Sequence, residues 1–277
     1  MSAIAKTIWV IESRIGMPVT LDELAAHAGV SRFHLSRIFP LATGYSISGY
    51  LRGRRLSVAA RQLAGGAPDI LEVALDAGYG SHEAFTRAFR EQFGTTPDEL
   101  RRRGSIASLT LVESLPMDSA VNTDLAPPII DRRPAMRMTG LREKMDMSNA
   151  NAIPVLWQRF GPYLGHIPGA VAPAAYGVVV DMEGELCDYM AGTEIAPGTD
   201  VLRELKVLTL PARRWARFRH RGHISTIRGT IAAIFDYGLG RAGLVQDEEM
   251  SFVEYYGPDF DPMAGTGTVE IWIGLKD

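Results

Sequence analysis

Apolar residues recur at three- and four-residue spacing through the first hundred positions, with polar residues between them. Ile4, Ile8, Ile11 and Ile15 give an opening helix one apolar face, and Gly16 and Pro18 end it. Thr20 and Glu23 form a capping box for a short helix through Ala28, after which Gly29 reverses the chain. Ser31 caps the next helix, where Phe33, Leu35, Ile38 and Phe39 are apolar and Arg32, Ser36 and Arg37 are polar. Pro40 is expected to stop that helix, because proline offers no amide and its ring crowds the preceding turn. A longer linking helix follows, carrying Leu51, Leu56, Ala59, Ala60 and Leu63. The plan then repeats. Asp69 and Glu72 mark a cap, Gly78-Tyr79-Gly80 turns the chain, and Ser81 caps a helix bearing Phe85, Phe89 and Phe93. Ala25 and Gly29 match Ala74 and Gly78 at an offset of 49, while Ser31, Arg37, Phe39 and Gly44 match Ser81, Arg87, Phe89 and Gly94 at 50. Two helix-turn-helix units in tandem account for this repeat. Thr96-Pro97-Asp98-Glu99 caps a last helix through Arg103.

From about Pro128 the pattern changes to strands alternating with helices. Runs of residues 135–141 and 213–220 open two similar halves, and Pro134, Ser148 and Gly161 match Pro211, Ser225 and Gly238 at an offset of 77. One helix carries Ile153, Leu156, Trp157 and Phe160, its counterpart Ile227, Ile231, Ile234, Phe235 and Tyr237. Each is followed by a pair of strand-like runs, 176–180 with 186–191 and 251–256 with 268–275. The expected fold is therefore multidomain: an all-α double helix-turn-helix domain over residues 1–104, then an α+β domain of two βαββ halves over 128–277, with helices on one face of the sheet. Residues 105–127, rich in Ser, Asp, Asn and Pro, read as the linker.

Composition narrows the class. Hydrophobic residues make up 46% and charged residues 22% of the 277, the balance of a soluble globular protein. A single cysteine, Cys187, excludes an internal disulfide and a cysteine-based metal cluster. The opening residues lack a basic-then-apolar leader, and the most apolar stretch, 170–180, falls short of the ~18–20 residues that span a bilayer. A cytoplasmic protein with no membrane partner is expected. Residues 1–110 hold 13 Lys+Arg against 10 Asp+Glu, a balance of +3, whereas residues 111–277 hold 16 against 22, a balance of −6. Arg52, Arg54, Arg55 and Arg61 crowd together, as do Arg87, Arg90, Arg101, Arg102 and Arg103, and such clustering is the footprint of a polyanion binder.

The segments Leu24-Ala25-Ala26-His27-Ala28-Gly29-Val30-Ser31-Arg32-Phe33 and Phe85-Thr86-Arg87-Ala88-Phe89-Arg90, with Phe93-Gly94-Thr95-Thr96-Pro97, carry a resemblance to the AraC/XylS family of transcription regulators over residues 4–103. The resemblance implies sequence-specific binding of double-stranded DNA and contact with RNA polymerase. Its base-facing positions here are Arg32, Phe33, Ser36 and Arg37 in the first unit and His82, Glu83, Thr86 and Arg87 in the second, with Arg90 beside them. The side chains suit that role. Arg37 and Arg87 can each grip guanine through two hydrogen bonds, Phe33 can touch a thymine methyl, and Glu83 can accept from cytosine. The linking helix would set both reading helices about one DNA turn, ~34 Å, apart. Two reading units in one chain leave both monomer and dimer open.

The second half is similar to GyrI-like, or SOUL-type, effector-binding domains. Tyr189-Met190-Ala191-Gly192, Leu210-Pro211-Ala212 and Glu254-Tyr255-Tyr256-Gly257-Pro258-Asp259-Phe260 carry this, with Val269-Glu270-Ile271-Trp272-Ile273. A small hydrophobic or cationic effector is implied. Strand alternation puts Glu270 with Trp272 on one face and Glu254 with Tyr256 on one face, and all four are expected to line a single cleft, with Trp157 from the helix above. Asp188 is the first-half counterpart of Glu270. Two other functions fit the same residues: a small-molecule hydrolase with Glu270 or Glu254 as general base, and a protein-interaction module. No metal-ligand spacing, nucleophile motif or phosphate loop is present, so no enzyme, catalytic residue, metal or cofactor is expected.

Overall fold

The computed structural model describes residues 2–115, 125–146, 152–183, 186–247 and 252–276. Ser148 and the linker residues 116–124 lie outside them. The chain divides into two compact units, Met1–Leu35 with Ser46–Asp118, and Ser36–Tyr45 with Ser119–Asp277.

Seven helices form the N-terminal hundred residues: α1 (Ala3–Ser13), α2 (Leu21–Ala28), α3 (Arg32–Thr43), α4 (Ile47–Ala64), α5 (Ile70–Asp76), α6 (His82–Phe93) and α7 (Pro97–Arg103). The caps are those that the sequence specifies. Thr20 with Glu23 and Thr96 with Glu99 close complete capping boxes, and Ser31, Asp69 and Ser81 accept from amides in their first turns. Gly29 and Gly94 take left-handed φ values of 77° and 68° at helix ends, where a side chain would be strained. Pro40 does not stop α3, which runs on to Thr43 and so matches α6 at 12 residues. With only one turn left after it, Pro40 removes a single backbone bond near the helix end, and Gly44 closes that turn by donating to the Pro40 carbonyl at 2.7 Å. Leu56, Ala60, Leu63, Phe85, Phe89 and Leu100 are fully buried in the core between α4, α5, α6 and α7.

Part of the expected linker belongs to this unit. Ile106, Leu109 and Leu111 pack on that core. Val112 then passes so close to α4 that a Cβ on Gly53 would lie 2.7 Å from its Cγ2. The Val112 amide donates to Ser57 Oγ at 2.9 Å, its carbonyl accepts from Arg54 at 2.8 Å, and the Leu115 amide donates to the Tyr50 hydroxyl at 2.9 Å. Residues 106–115 are thus a strap tied along α4.

The second unit carries one eight-stranded antiparallel sheet: β1 (Ile129–Arg133), β2 (Met136–Asp146), β3 (Ala175–Glu183), β4 (Leu186–Glu194), β5 (Lys206–Leu210), β6 (Arg213–His220), β7 (Phe252–Tyr256) and β8 (Val269–Gly274). The strand order is β1-β6-β8-β7-β3-β4-β2-β5. Each half is βαββ, as expected, with one extra leading strand that pairs with the other half: β1 with β6, and β5 with β2. Two helices, α8 (Ala152–Phe160) and α9 (Ile227–Ala233), pack on one face of the sheet. A five-residue π segment, Ile234–Gly238, continues α9. The helix-covered face is filled by Leu156, Phe160, Ile231, Ile234, Phe218, Ile271 and Ile273, and the opposite face by Met136, Met138, Met190, Trp215 and Trp272. No helix among the described residues is long and apolar enough to cross a membrane.

Candidate functional site

The period of α6 divides its residues cleanly. Phe85 and Phe89 are fully buried and meet in series with Phe93, tilted and edge to face, at ring separations of 5.4 and 4.8 Å, which fixes the helix on the core. The opposite side presents His82, Glu83, Thr86, Arg87 and Arg90, together with Glu91, along one open groove. All five residues expected to read DNA in this unit therefore share one face, with His82, Glu83, Arg87 and Arg90 exposed and the Thr86 hydroxyl buried. In α3, Arg32 and Phe33 are exposed, and Arg32 lies 3.7 Å from Asp22. Ser36 and Arg37 are half-buried and cluster with the second unit, where Arg37 Nη2 donates to Asp181 at 3.1 Å.

Within the arginine clusters, Arg54 and Arg55 are committed to the fold, while Arg52, Arg61, Arg87, Arg90, Arg102 and Arg103 stay exposed. Arg54 is buried and grips the Glu12 carboxylate with two nitrogens at 2.8 and 2.9 Å, an ion pair that, with the Tyr50 hydroxyl, keeps Glu12 below its ordinary range despite burial. Arg55 donates to the carbonyls of Ile15 and Met17, and Arg61 pairs with Glu113 at 2.7 Å. Arg101 and Arg102 both pair with Asp98.

On the helix-covered face of the sheet, Glu254 sits in the middle of β7 with its side chain buried. Tyr189 on β4 donates its hydroxyl to Glu254 Oε2 at 2.7 Å, and Tyr256 donates to the same oxygen at 3.1 Å. Trp157 of α8 donates its indole N–H to Tyr189 at 3.0 Å and meets the Tyr256 ring edge to face at 5.1 Å. Gly177 makes the cluster possible. It faces Glu254 across the β3–β7 ladder, and a Cβ there would lie 2.0 Å from the Tyr189 hydroxyl and 2.6 Å from Glu254 Oε2. Burial raises the Glu254 carboxyl above its ordinary range, opposed by the two phenol hydrogen bonds and by the charge of Arg228 on α9. Burial and the neighbouring carboxylate push both phenols well above theirs. Among the described residues Glu254 makes no ion pair, so a buried acid stands among aromatic rings with the exposed Arg228 acting on it through its charge alone.

The expectation of one shared cleft is overturned by the β7–β8 register. Glu254 is opposite Ile271, whereas Tyr255 is opposite Glu270 and Val253 opposite Trp272. Cross-strand partners share a face, so Glu270 and Trp272 lie on the side of the sheet away from Glu254 and Tyr256. There the protein supplies its own cation. The Arg133 guanidinium sits 4.5 Å from the centre of the Trp272 ring, Tyr255 stacks at 5.3 Å, and Trp272 is fully buried. Glu270 Oε2 accepts from the Trp272 indole at 2.8 Å and from Arg217 at 3.4 Å. Its first-half counterpart, Asp188, is likewise gripped by Arg142, at 2.7 and 2.9 Å. Tyr189, Gly177 and Arg228 were not singled out from the sequence as site residues. The signal was a glycine inside an otherwise β-branched strand run, which marks close approach of a neighbour.

A pair of helix-turn-helix units followed by a duplicated α+β domain with a buried acidic cluster defines a two-part chain, one part suited to nucleic acid and the other to a small ligand. Residues 24–103 match a helix-turn-helix domain, here of AraC type, and residues 126–276 match the GyrI-like small molecule binding domain. With more than half its length in the second match, the chain belongs to the GyrI-like family. It is 32% identical over 176 residues to the transcriptional regulator Rob of Salmonella typhimurium, covering 62% of this chain and 59% of that protein. It is 38% identical over 93 residues to the regulatory protein SoxS of Escherichia coli K12, covering 34% of this chain and 87% of SoxS. The structure of SAV2435 bound to tetraphenylphosphonium is 18% identical, with a TM-score of 0.46 over 55% of this chain and 94% of that one. The chain thus spans about three fifths of Rob.

Proposed function

We propose that this protein is a transcription regulator that binds double-stranded DNA in a sequence-specific way and responds to a small lipophilic cation. The carrying observation is the buried Glu254 carboxyl, ringed by Trp157, Tyr189 and Tyr256 and lacking a described ion pair, in a chain whose α6 presents a polar reading face. A monocation of delocalised charge and apolar surface suits both parts of that cluster, by charge pairing with the carboxylate and by cation–π contact with the rings. Glu254 is buried, so a cation reaches it when the side chains around it, Trp157 of α8 among them, move aside. On the DNA side, Arg87 and Glu83 take the base-reading roles in the second unit, and Arg32, Phe33 and Arg37 those in the first, with Arg37 leaving Asp181 to do so. The protein acts on DNA in the cytoplasm, with RNA polymerase as its downstream partner.

The test is footprinting of the full chain on its own upstream DNA with and without methyltriphenylphosphonium, a lipophilic cation with little affinity for DNA. Specific protection should be present, should change on adding the cation, and should be lost when Arg37 and Arg87 are both replaced by alanine. Unchanged protection by that double variant rejects the reading-helix assignment, and a footprint indifferent to saturating cation rejects the effector reading.

A further inference from the structure

A buried acid poses an electrostatic problem before any ligand arrives. An ionised carboxylate held in a low-dielectric interior is costly unless a counter-charge or enough hydrogen bonds offset it. From β4 come the Tyr189 hydroxyl and the Cys187 thiol, the latter pushed up to about 12 by burial and by the charge of Glu254. From β7 itself comes Tyr256, from β3 only the bare Gly177, from β8 the apolar Ile271, and from α8 the Trp157 indole. Arg228 on α9 is exposed and acts through its field, not through an ion pair. Both phenols converge on one oxygen, Oε2, which leaves Oε1 without a described donor and open to a proton.

We propose that effector uptake is a cation-for-proton exchange: the empty site holds Glu254 as the neutral acid, and a bound monocation displaces that proton to solvent and takes its place beside the carboxylate. The inference rests on Glu254 being the effector site. No bond other than the O–H bond of the acid breaks, one proton leaves for each cation that enters, and the charge of the buried cluster stays constant. Tyr189 is a positioning residue in this exchange, since its hydroxyl favours the ionised form to which the cation binds.

The experiment is calorimetric titration of the full chain with methyltriphenylphosphonium, between pH 5.5 and 8.5, in buffers of low and high ionisation enthalpy. About one proton should be released per cation wherever affinity strengthens with pH, about tenfold per pH unit, and the two should fade together once the acid is ionised without the cation. Tyr189→Phe should move that fading point to higher pH and weaken binding below it about tenfold. Tight binding that needs Glu254, with no proton release and no pH slope, overturns the exchange and leaves the effector site standing. Absence of binding at every pH overturns both.

Discussion

Glu254 and Glu270 stand on neighbouring strands, each beside aromatic rings, and by residue type they are equals. Their surroundings are not. Glu270 receives an indole N–H and a guanidinium, and the ring beside it, Trp272, already carries Arg133 on its face. Among the described residues Glu254 receives phenol hydroxyls and no ion pair. One face of the sheet has paired its acid with the chain's own cations, and the other has not. What makes a candidate binding site here is the unmade ion pair, because a buried acid already paired gains nothing from a second cation.

The comparison can be broken most severely through Trp272. Truncation to alanine removes a fully buried indole and should destabilise the second unit by ~3–5 kcal/mol in denaturant unfolding. Affinity for methyltriphenylphosphonium, measured well below the new midpoint, should change by less than about twofold. Next comes the exchange of acids for amides. Glu254→Gln should weaken the cation by about 100-fold in calorimetry, the scale expected when one partner of a buried charge pair is neutralised, whereas Glu270→Gln should stay within about twofold. Comparable losses in both variants would mean that the two faces are not different in kind. Gly177→Ala is a finer probe, since its methyl collides with the Tyr189 hydroxyl and the Glu254 carboxyl. A cost of ~1–3 kcal/mol in stability is expected, together with a weakened cation affinity.

The smallest effect is a pH slope. Burial raises the folded-state value of Glu254, so the native chain holds a proton that the unfolded chain has already lost. This group's contribution to stability is fully present below the unfolded value of about 4.3 and is lost as pH rises through the raised folded value. Glu254→Gln should therefore gain on the wild type as pH increases above 5. The thermal midpoint difference should widen in favour of the variant by a few degrees before levelling. A difference that is flat with pH would show the carboxyl to be unperturbed.

These contrasts also mark where the sequence can be read and where it cannot. The caps at Thr20, Ser31, Asp69, Ser81 and Thr96 lie within three residues of the amides they satisfy, so local chemistry announces them. The split of α6 into a phenylalanine side and a polar side is equally local. Strand alternation likewise pairs Glu254 with Tyr256 and Glu270 with Trp272. It does not reveal that the two pairs face opposite ways, because that depends on the β7–β8 register, and the strands are joined by a long connection rather than a tight hairpin. The edge strands β1 and β5 were missed for a related reason: each pairs with the other half of the domain, so nothing nearby in sequence signals its partner. Arginines are the hardest to read. Arg54 and Arg87 look alike in a helical run, yet one is locked to Glu12 under the strap and the other faces solvent, and only tertiary contacts separate them.

The most direct measurement is to locate a bound lipophilic cation on the full chain by crystallography after soaking with methyltriphenylphosphonium. The account predicts the charged centre beside Glu254 on the helix-covered face, with Trp157 and Tyr256 displaced around it and the Arg133–Trp272 stack untouched. A cation seated on Trp272 next to Glu270, with Arg133 expelled and the Glu254 cluster still closed, would contradict it.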